Sequence, residues 1–277
     1  MTALATRFAR RSPVLRSNST LSDDQIRSVA PSIFAPAKHE SRSARYTYVP
    51  TSEVLTAMRR EGFEPFMVCQ TRVRDESRLD FTKHMVRLRH PSQINDAEAN
   101  EIILINSHDG TSCFQMLAGM LRFACQNGLV CGDIVQDVRV PHTGNIADRV
   151  VAGAYEVLDG FELIREKRES MRAITLQDSE ASALARSALA LRFDIDDTHK
   201  APISELQVLE ARRSSDTGSD LWSVFNRMQE NLTRGGLRGR DARGRSMRTR
   251  AVESIDGNVK LNRALWMLAD KMARLKA

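Results

Sequence analysis

Three β-forming segments follow one another between residues 63 and 106, and they constrain the fold more than any other feature. They are FEPFMVCQTRVR at 63–74, FTKHMVRLR at 81–89 and EIILIN at 101–106. Each is rich in β-branched or aromatic residues, and polar loops separate them. Further strands are predicted at 45–49 (RYTYV) and 134–140. The pattern therefore predicts a sheet of four or five strands.

Two helices are predicted beside this sheet. Residues 53–61 follow a capping Thr51 or Ser52 and end at Gly62, and residues 113–127 end at Gly128. The second segment is apolar on several sides, so we expect it to be buried against the sheet. The order strand, helix, three strands, helix predicts an α+β fold, in which an antiparallel sheet has helices packed on one face.

Beyond residue 140 the apolar spacing becomes helical. Amphipathic helices are predicted around 146–164, 181–189, 221–232 and 261–272. Ser22 and Gln25 form a capping-box pattern for a short N-terminal helix. The resulting domain prediction is an N-terminal arm at 1–37, an α+β core at 38–175 and a helical C-terminal region at 176–277.

Charge and composition narrow the class of protein. The net charge is +6. A basic surface favours the binding of polyanions, chiefly nucleic acid; the alternative is a charged surface that only improves solubility. The four cysteines lack the spacing of a zinc site or a disulfide framework. No apolar run approaches the roughly 20 residues that span a bilayer. We therefore expect a cytoplasmic protein with no membrane partner.

The second and third strand segments carry a first set of candidate site residues. Because side chains alternate along a strand, Arg72 and Arg74 share one face of 63–74, and Lys83, Arg87 and Arg89 share one face of 81–89. Such a basic, solvated face could track a phosphate backbone, preferentially of single-stranded DNA. An ordinary polar outer face is the alternative, since no stacking aromatic residues accompany the arginines.

A second candidate site is the segment RGGLRGRDARGRSMRTR at 234–250. It holds seven arginines, four glycines and one acidic residue. Glycine predicts a flexible linker, and arginine binds phosphates and stacks on bases. The candidate nucleic-acid-binding residues here are Arg238, Arg240, Arg243, Arg245, Arg248 and Arg250. A solvated linker is the alternative interpretation.

No coherent catalytic, metal or nucleotide motif emerges. Ser107, His108 and Asp109 are consecutive, and consecutive residues do not normally adopt the relay geometry of a triad. The histidines lack H-E-x-x-H spacing, and the glycines match neither a dinucleotide fingerprint nor a Walker loop. We expect no enzyme activity and no cofactor, with a nuclease or hydrolase using His108 and Asp109 as the alternative.

Several longer strings carry a family resemblance. They are KHESRSARYTYVPT (38–51), EGFEPFMVCQTRVRD (61–75), INSHDGTS (105–112), CQNGLVCG (125–132) and IDGNVKLNRALW (255–266). In these the chain resembles the prophage- and plasmid-encoded YfjQ/YafZ-like proteins, grouped as domain of unknown function 932. The resemblance implies a mobile-element origin and brings no known activity.

A more distant resemblance concerns element order alone. A strand at 45–49, a helix at 53–61, three strands and a helix resemble the core of ring-forming, ATP-independent single-strand annealing proteins. That resemblance implies that Arg72, Arg74, Lys83, Arg87 and Arg89 line a groove for one DNA strand, and it allows a homo-oligomer. Fold alone does not establish function.

The sequence thus favours a non-catalytic nucleic-acid-binding protein of a mobile element, acting in replication or recombination. The alternative is an interaction protein, anti-restriction or regulatory, that acts on a host or phage protein. Its partner surface would be the helical C-terminal region, with exposed apolar residues such as Trp266. Trp222 and Trp266 also fit ordinary helix packing.

Overall fold

The computed structural model describes residues 13–42, 46–73, 75–94, 98–124, 127–132, 137–142, 145–193, 195 and 200–276. The chain divides into two compact units. The first comprises residues 1–130, 134–161 and 253–255, and the second comprises 131–133, 162–252 and 256–277. The main change of unit thus falls at 161/162, whereas the sequence prediction places a boundary at 175/176.

The first unit is built on an antiparallel sheet. Its described strands pair in the order β1 to β6. β6 and β7 share one edge of β5, where each pairs with a different half of the strand. The strands are β1 (Val14–Arg16), β2 (Glu64–Gln70), β3 (His84–Arg89), β4 (Glu98–Asn106), β5 (Phe114–Arg122), β6 (Asn127–Val130) and β7 (Val138–Val140). The helices are α1 (Asp23–Val29), α2 (Thr51–Arg60) and α3 (Ile146–Asp159).

Helices pack on one face of this sheet, here called the helix face. Val68, Val86, Leu104, Met116 and Val138 form a continuous row of register partners across it. α3 lies close on this row because Gly153 has no side chain: a Cβ there would lie 2.5 Å from the Met116 methyl group. The α+β prediction with helices on one face is confirmed.

Local caps explain where the flanking helices begin and end. The capping box predicted at Ser22 and Gln25 is present at α1, with both reciprocal hydrogen bonds. α2 ends just before Gly62, whose φ of +85° is a conformation that glycine adopts without strain. Both signals depend only on neighbouring residues.

Two predicted elements are wrong. The sequence predicts a helix over 113–127, but Phe114–Arg122 is strand β5, paired with β4 from Gln115 to Arg122. A segment that is buried on both sides is apolar throughout, so its sequence shows neither the helical nor the strand period. Pairing with the free backbone edge of β4 makes it a strand. Residues 46–49 of the predicted first strand have no regular structure. The described residues therefore do not show the element order that carried the resemblance to annealing proteins.

The opposite face of the sheet is concave. Nη1 of Arg87, on β3, donates a hydrogen bond to the carbonyl of Leu129, on β6, at 3.1 Å. In a flat sheet those strands, three spacings apart, would be about 14 Å from each other. The sheet therefore curls around this face. Gly128 permits the contact, since a Cβ there would lie 2.6 Å from the same nitrogen.

In the described residues of the second unit, the regular elements are helices and one β-hairpin. Its elements are α4 (Phe161–Ala173), α5 (Asp178–Phe193), α6 (Glu205–Leu209), α7 (Leu221–Arg234), β8 (Arg238–Arg240), β9 (Ser246–Arg248) and α8 (Ile255–Lys276). The single helix predicted over 146–164 is two helices, since α3 ends at Gly160. The predicted helical C-terminal region is confirmed.

Aromatic packing joins α7 and α8. Trp222, Phe225 and Trp266 are buried, and the two indole rings meet edge to face at 6.4 Å. Trp266 is 1% exposed, so the expectation that it forms a partner surface is wrong. α7 begins after Asp220, whose side chain accepts from the Ser223 amide. No helix in the described ranges is long and apolar enough to cross a membrane.

Candidate nucleic-acid interface

The predicted basic sheet face is not a solvent surface. Arg87 and Arg89 are each 3% exposed on the concave face. Arg87 Nη1 lies 2.8 Å from one carboxylate oxygen of Glu101, and Arg89 Nε lies 2.9 Å from the other. Arg89 also stacks on Phe66, with its guanidinium carbon 4.2 Å from the ring centroid. The expectation that these two arginines are solvated is wrong.

Arg72 and Lys83, from the same set, lie outside regular strand. β2 ends at Gln70, so exposed Arg72 follows the strand instead of sharing its face. Lys83 precedes β3 and is half-buried. Arg74 lies outside the described residues. The four described residues, Arg72, Lys83, Arg87 and Arg89, therefore do not form the continuous row that alternation predicted.

The second candidate segment is ordered as a β-hairpin. β8 and β9 pair antiparallel, with Arg238 opposite Arg248 and Arg240 opposite Ser246. The expectation of a flexible linker is wrong here. Opposed residues of an antiparallel pair project to the same side, so Arg238, Arg240 and Arg248 share one exposed face. We call this the arginine face, and we call residues 238–250 the arginine hairpin.

Asp241 organises the turn of the hairpin. Its Oδ1 accepts from the amides of Arg243 and Arg245 at 2.9 Å, and its Oδ2 accepts from Arg245 Nε at 2.8 Å. The hydrogen bond from the Arg245 side chain, followed by those from the amides, lowers the pKa of the Asp241 carboxyl. Gly244, with φ of +75°, closes the turn in a conformation that favours glycine. The one acidic residue of the segment is thus engaged within the turn.

The other side of the hairpin is held against the body of the second unit. The Arg240 amide donates to the Pro202 carbonyl at 2.9 Å, and Gln207 Nε2 donates to the Arg238 carbonyl at 2.8 Å. Gly239 allows this approach, because a Cβ there would lie 2.1 Å from the Pro202 oxygen. Backbone contacts along the outer edge of β8, together with the close approach at Gly239, therefore hold the hairpin with its arginine face exposed.

Counter-charges distinguish these arginines from many others in the unit. Arg165, Arg213 and Arg274 each form an ion pair with a nearby carboxylate, as Arg234 and Arg245 do. Within the described part of the chain, no carboxylate oxygen lies within 4.0 Å of five exposed arginines of the hairpin: Arg238, Arg240, Arg243, Arg248 and Arg250. The hairpin concentrates uncompensated positive charge on an ordered scaffold.

A buried polar cluster forms a second notable site, in the first unit. Gln70, His84 and Asn106 are direct register partners on β2, β3 and β4, and all three are fully buried on the helix face. The hydroxyl of Thr51, the first residue of α2, lies 2.9 Å from His84 Nε2 and accepts from Asn106 Nδ2 at 3.0 Å. Three strand ends and a helix start thus share one hydrogen-bond network.

Two more histidines extend this network. His108 Nε2 lies 3.3 Å from the Thr51 hydroxyl, and His142 Nε2 lies 3.1 Å from Asn106 Oδ1. Tyr46 stacks on the His142 ring at 4.4 Å, and its hydroxyl donates to the Ser107 carbonyl. We call His84, His108 and His142 with Thr51 and Asn106 the histidine cluster.

Burial keeps the three imidazoles neutral. Desolvation is the largest cause in each case: it lowers the pKa of His84 well below its ordinary value, lowers that of His108 to about 4 and lowers that of His142. His108 and His142 also repel each other when charged. Among the described residues, no group of three or more His, Cys, Asp or Glu side chains could hold a metal ion.

The consecutive Ser107, His108 and Asp109 contact different groups. Ser107 Oγ accepts from the Ser112 amide at 2.8 Å, and Asp109 accepts from the Thr111 amide and hydroxyl at 3.0 and 2.7 Å. His108 turns toward Thr51 instead. These side chains order the 107–112 turn, and their arrangement is not that of a nucleophile, base and orienting acid.

Comparison with known proteins identifies the family. The model of the family described as "Domain of unknown function (DUF932)" matches residues 38–266. This chain belongs to the DUF932 family. It is 52% identical to the UPF0380 protein YfjQ and 51% identical to the UPF0380 protein YafZ, both of Escherichia coli K12, over 98% of each chain. No solved structure matches.

The DUF932 match spans both sites. Residues 38–266 include the arginine hairpin and the whole histidine cluster. Sequence reasoning found the hairpin arginines but missed the cluster. The only sequence signal of the cluster was a single polar residue near one end of each apolar strand, at Gln70, His84 and Asn106. That signal can be interpreted only when the strand register is known, because the register shows that the three residues are neighbours.

Proposed function

We propose that this chain is a non-catalytic nucleic-acid-binding protein and that the arginine hairpin is its binding surface. The observation that carries the proposal is the outward face of exposed arginines without neighbouring carboxylates, held on an ordered two-stranded scaffold. Guanidinium groups bind phosphates bidentately, and neutralised phosphates release their counterions. A role in mobile-element replication or recombination rests on the resemblance in sequence.

Two features of the chain support this assignment over binding along the sheet. The sheet arginines Arg87 and Arg89 are neutralised by Glu101, and because they are buried a polyanion in solvent cannot contact them. The hairpin arginines are exposed and belong to the helical unit, where ion pairs satisfy many of the other arginines. The binding residues proposed are therefore Arg238, Arg240, Arg243, Arg248 and Arg250; Arg245, also a candidate from the sequence, is paired with Asp241.

The test is fluorescence anisotropy with labelled single-stranded and duplex oligonucleotides at several salt concentrations. Replacing Arg238, Arg240 and Arg248 together by Gln should weaken binding by between about tenfold and a hundredfold near 0.1 M salt. The log–log salt slope should also flatten, by about 0.7 to 0.9 for each phosphate that the variant no longer neutralises.

A matched control separates a site from net charge. Replacing Arg165, Arg186 and Arg274 by Gln removes the same three charges from exposed helical positions of the same unit. This variant should bind as the parent does. If both variants lose affinity equally, binding is a property of net charge; if the parent chain binds no oligonucleotide at low salt and micromolar protein, the proposal is wrong.

The interaction-protein alternative is weakened, since Trp266 is buried. It would be favoured if the chain failed to bind oligonucleotides and a partner remained bound after nuclease treatment. An enzyme using His108 has no support from the site, because that imidazole is fully buried and bonded to Thr51. Divalent-dependent DNA cleavage that is lost in His108→Ala would contradict the non-catalytic assignment.

A further inference from the structure

The shape of the arginine hairpin bears on which nucleic acid it fits. It is a two-stranded antiparallel ribbon that contacts Pro202 through the outer edge of β8 and through Gly239, while its arginine face is exposed. The major groove of B-form DNA, about 12 Å wide, admits an α-helix or a two-stranded β-ribbon. A ribbon supported from behind can lie in that groove with its open face toward the base edges.

The placement of charge on the ribbon points to a ligand with anionic groups on both sides. Arg238 and Arg248 are directly opposite one another, and like charges in that relation destabilise a strand pair. Arg243 lies in the turn and Arg250 lies beyond the end of β9, both exposed. Central arginines thus face outward between arginines at the two ends of the hairpin.

The chemistry of the ribbon disfavours single strands and RNA. Residues 238–250 contain no aromatic side chain, so they lack the aromatic platforms on which single-strand-binding proteins stack successive unpaired bases. The major groove of A-form RNA is deep and narrow, and side chains do not read it. Arginine, in contrast, makes bidentate contacts with O6 and N7 of guanine in the major groove of B-form DNA.

We propose that the arginine hairpin enters the major groove of double-stranded DNA, with Arg238, Arg240 and Arg248 facing the base edges and the turn and flanking arginines on the phosphates. This inference rests on the proposed function and names its ligand. It replaces the single-stranded preference expected from the sequence, which depended on a sheet face that is buried.

The test compares four probes of one guanine-containing sequence: duplex DNA, single-stranded DNA, duplex RNA, and duplex DNA in which 7-deazaguanine replaces guanine. Duplex DNA should bind at least about tenfold more tightly than the other two natural probes. Removal of guanine N7 should weaken binding by a factor of about 5 or more, since a bidentate guanine contact contributes on the order of 1–3 kcal/mol of discrimination. A minor-groove ligand should not compete.

The outcomes separate this inference from the function on which it rests. If single-stranded DNA or duplex RNA binds as tightly as duplex DNA, and the Arg238, Arg240 and Arg248 variant still loses affinity, groove insertion is wrong and the nucleic-acid site stands. Unchanged binding to the 7-deazaguanine duplex, or competition by a minor-groove ligand, also overturns groove insertion. If no probe binds, both proposals fall together.

Discussion

Glu101 lies between two buried guanidinium groups on the concave face of the sheet. Its two carboxylate oxygens are 2.8 and 2.9 Å from Arg87 and Arg89, and all three side chains are at least 97% buried. A buried charge is tolerated when paired and hydrogen-bonded, and it is costly when its partner is removed. At the residue scale, one carboxylate therefore makes two arginines acceptable inside the protein.

This arrangement predicts a large effect of Glu101→Gln. The substitution keeps the size of the side chain but leaves two uncompensated cations, so the free energy of unfolding should fall by about 3–5 kcal/mol. Urea denaturation followed by circular dichroism measures it. Glu64→Gln is the control: Glu64 is partly exposed and lies 3.5 Å from Arg59, so its loss should cost no more than about 1 kcal/mol. Equal costs for both variants would contradict the buried triad.

The position of the arginine hairpin depends on a glycine, Gly239, and not on its arginine side chains. The Arg240 amide reaches the Pro202 carbonyl only because Gly239 has no Cβ. The arginines of the open face make no contribution to that seat through their side chains. Position and charge are therefore separable within the same short ribbon.

Gly239→Ala should lift the hairpin without changing charge. The methyl group would meet the Pro202 oxygen at 2.1 Å, an overlap with backbone that costs about 1–3 kcal/mol. In hydrogen-exchange experiments the Arg240 amide, now bonded to Pro202, should exchange faster. Ser246→Ala, at an exposed position of the same hairpin, is the matched control and should leave exchange unchanged. Slow exchange at Arg240 in Gly239→Ala would show that the seat is not as described.

For the molecule as a whole, the histidine cluster couples folding to pH. Its imidazoles are buried neutral, with pKa values lowered chiefly by desolvation. The unfolded chain has histidine pKa values of about 6.5, so below that pH it binds more protons than the folded protein does. The stability supplied by neutral burial is present above the unfolded pKa and is lost as pH falls toward the folded values, such as about 4 for His108.

The urea concentration at the midpoint of unfolding should therefore decrease as the pH is lowered from 7.5 to 5.5, a range in which most carboxylates do not yet titrate. Each histidine contributes up to about 1.4 kcal/mol per pH unit once its unfolded form is protonated. His108→Asn should reduce the slope of the free energy of unfolding against pH by up to the contribution of one titrating histidine. This reduction is expected whatever the effect of the substitution on stability at neutral pH. A midpoint that does not move over this range would contradict neutral burial of the cluster.

Local pattern was sufficient for the features that depend on near neighbours. The capping box of α1, the end of α2 at Gly62, the three central strands and the amphipathic helices of the second unit follow from signals within a few residues. The hairpin arginines were also predicted as candidate site residues from their clustering. In each case a short stretch of chain contains all the groups that stabilise the feature.

Tertiary structure decided the rest, because the missing information lies on other strands. Phe114–Arg122 is a strand because β4 offers it a backbone edge, and Arg87 and Arg89 are buried because Glu101 on that same neighbouring strand neutralises them. The 238–250 segment is ordered because Pro202 and Gln207 bind its backbone. Burial, pairing and charge compensation are contacts between distant positions, and a pattern along one segment does not contain them.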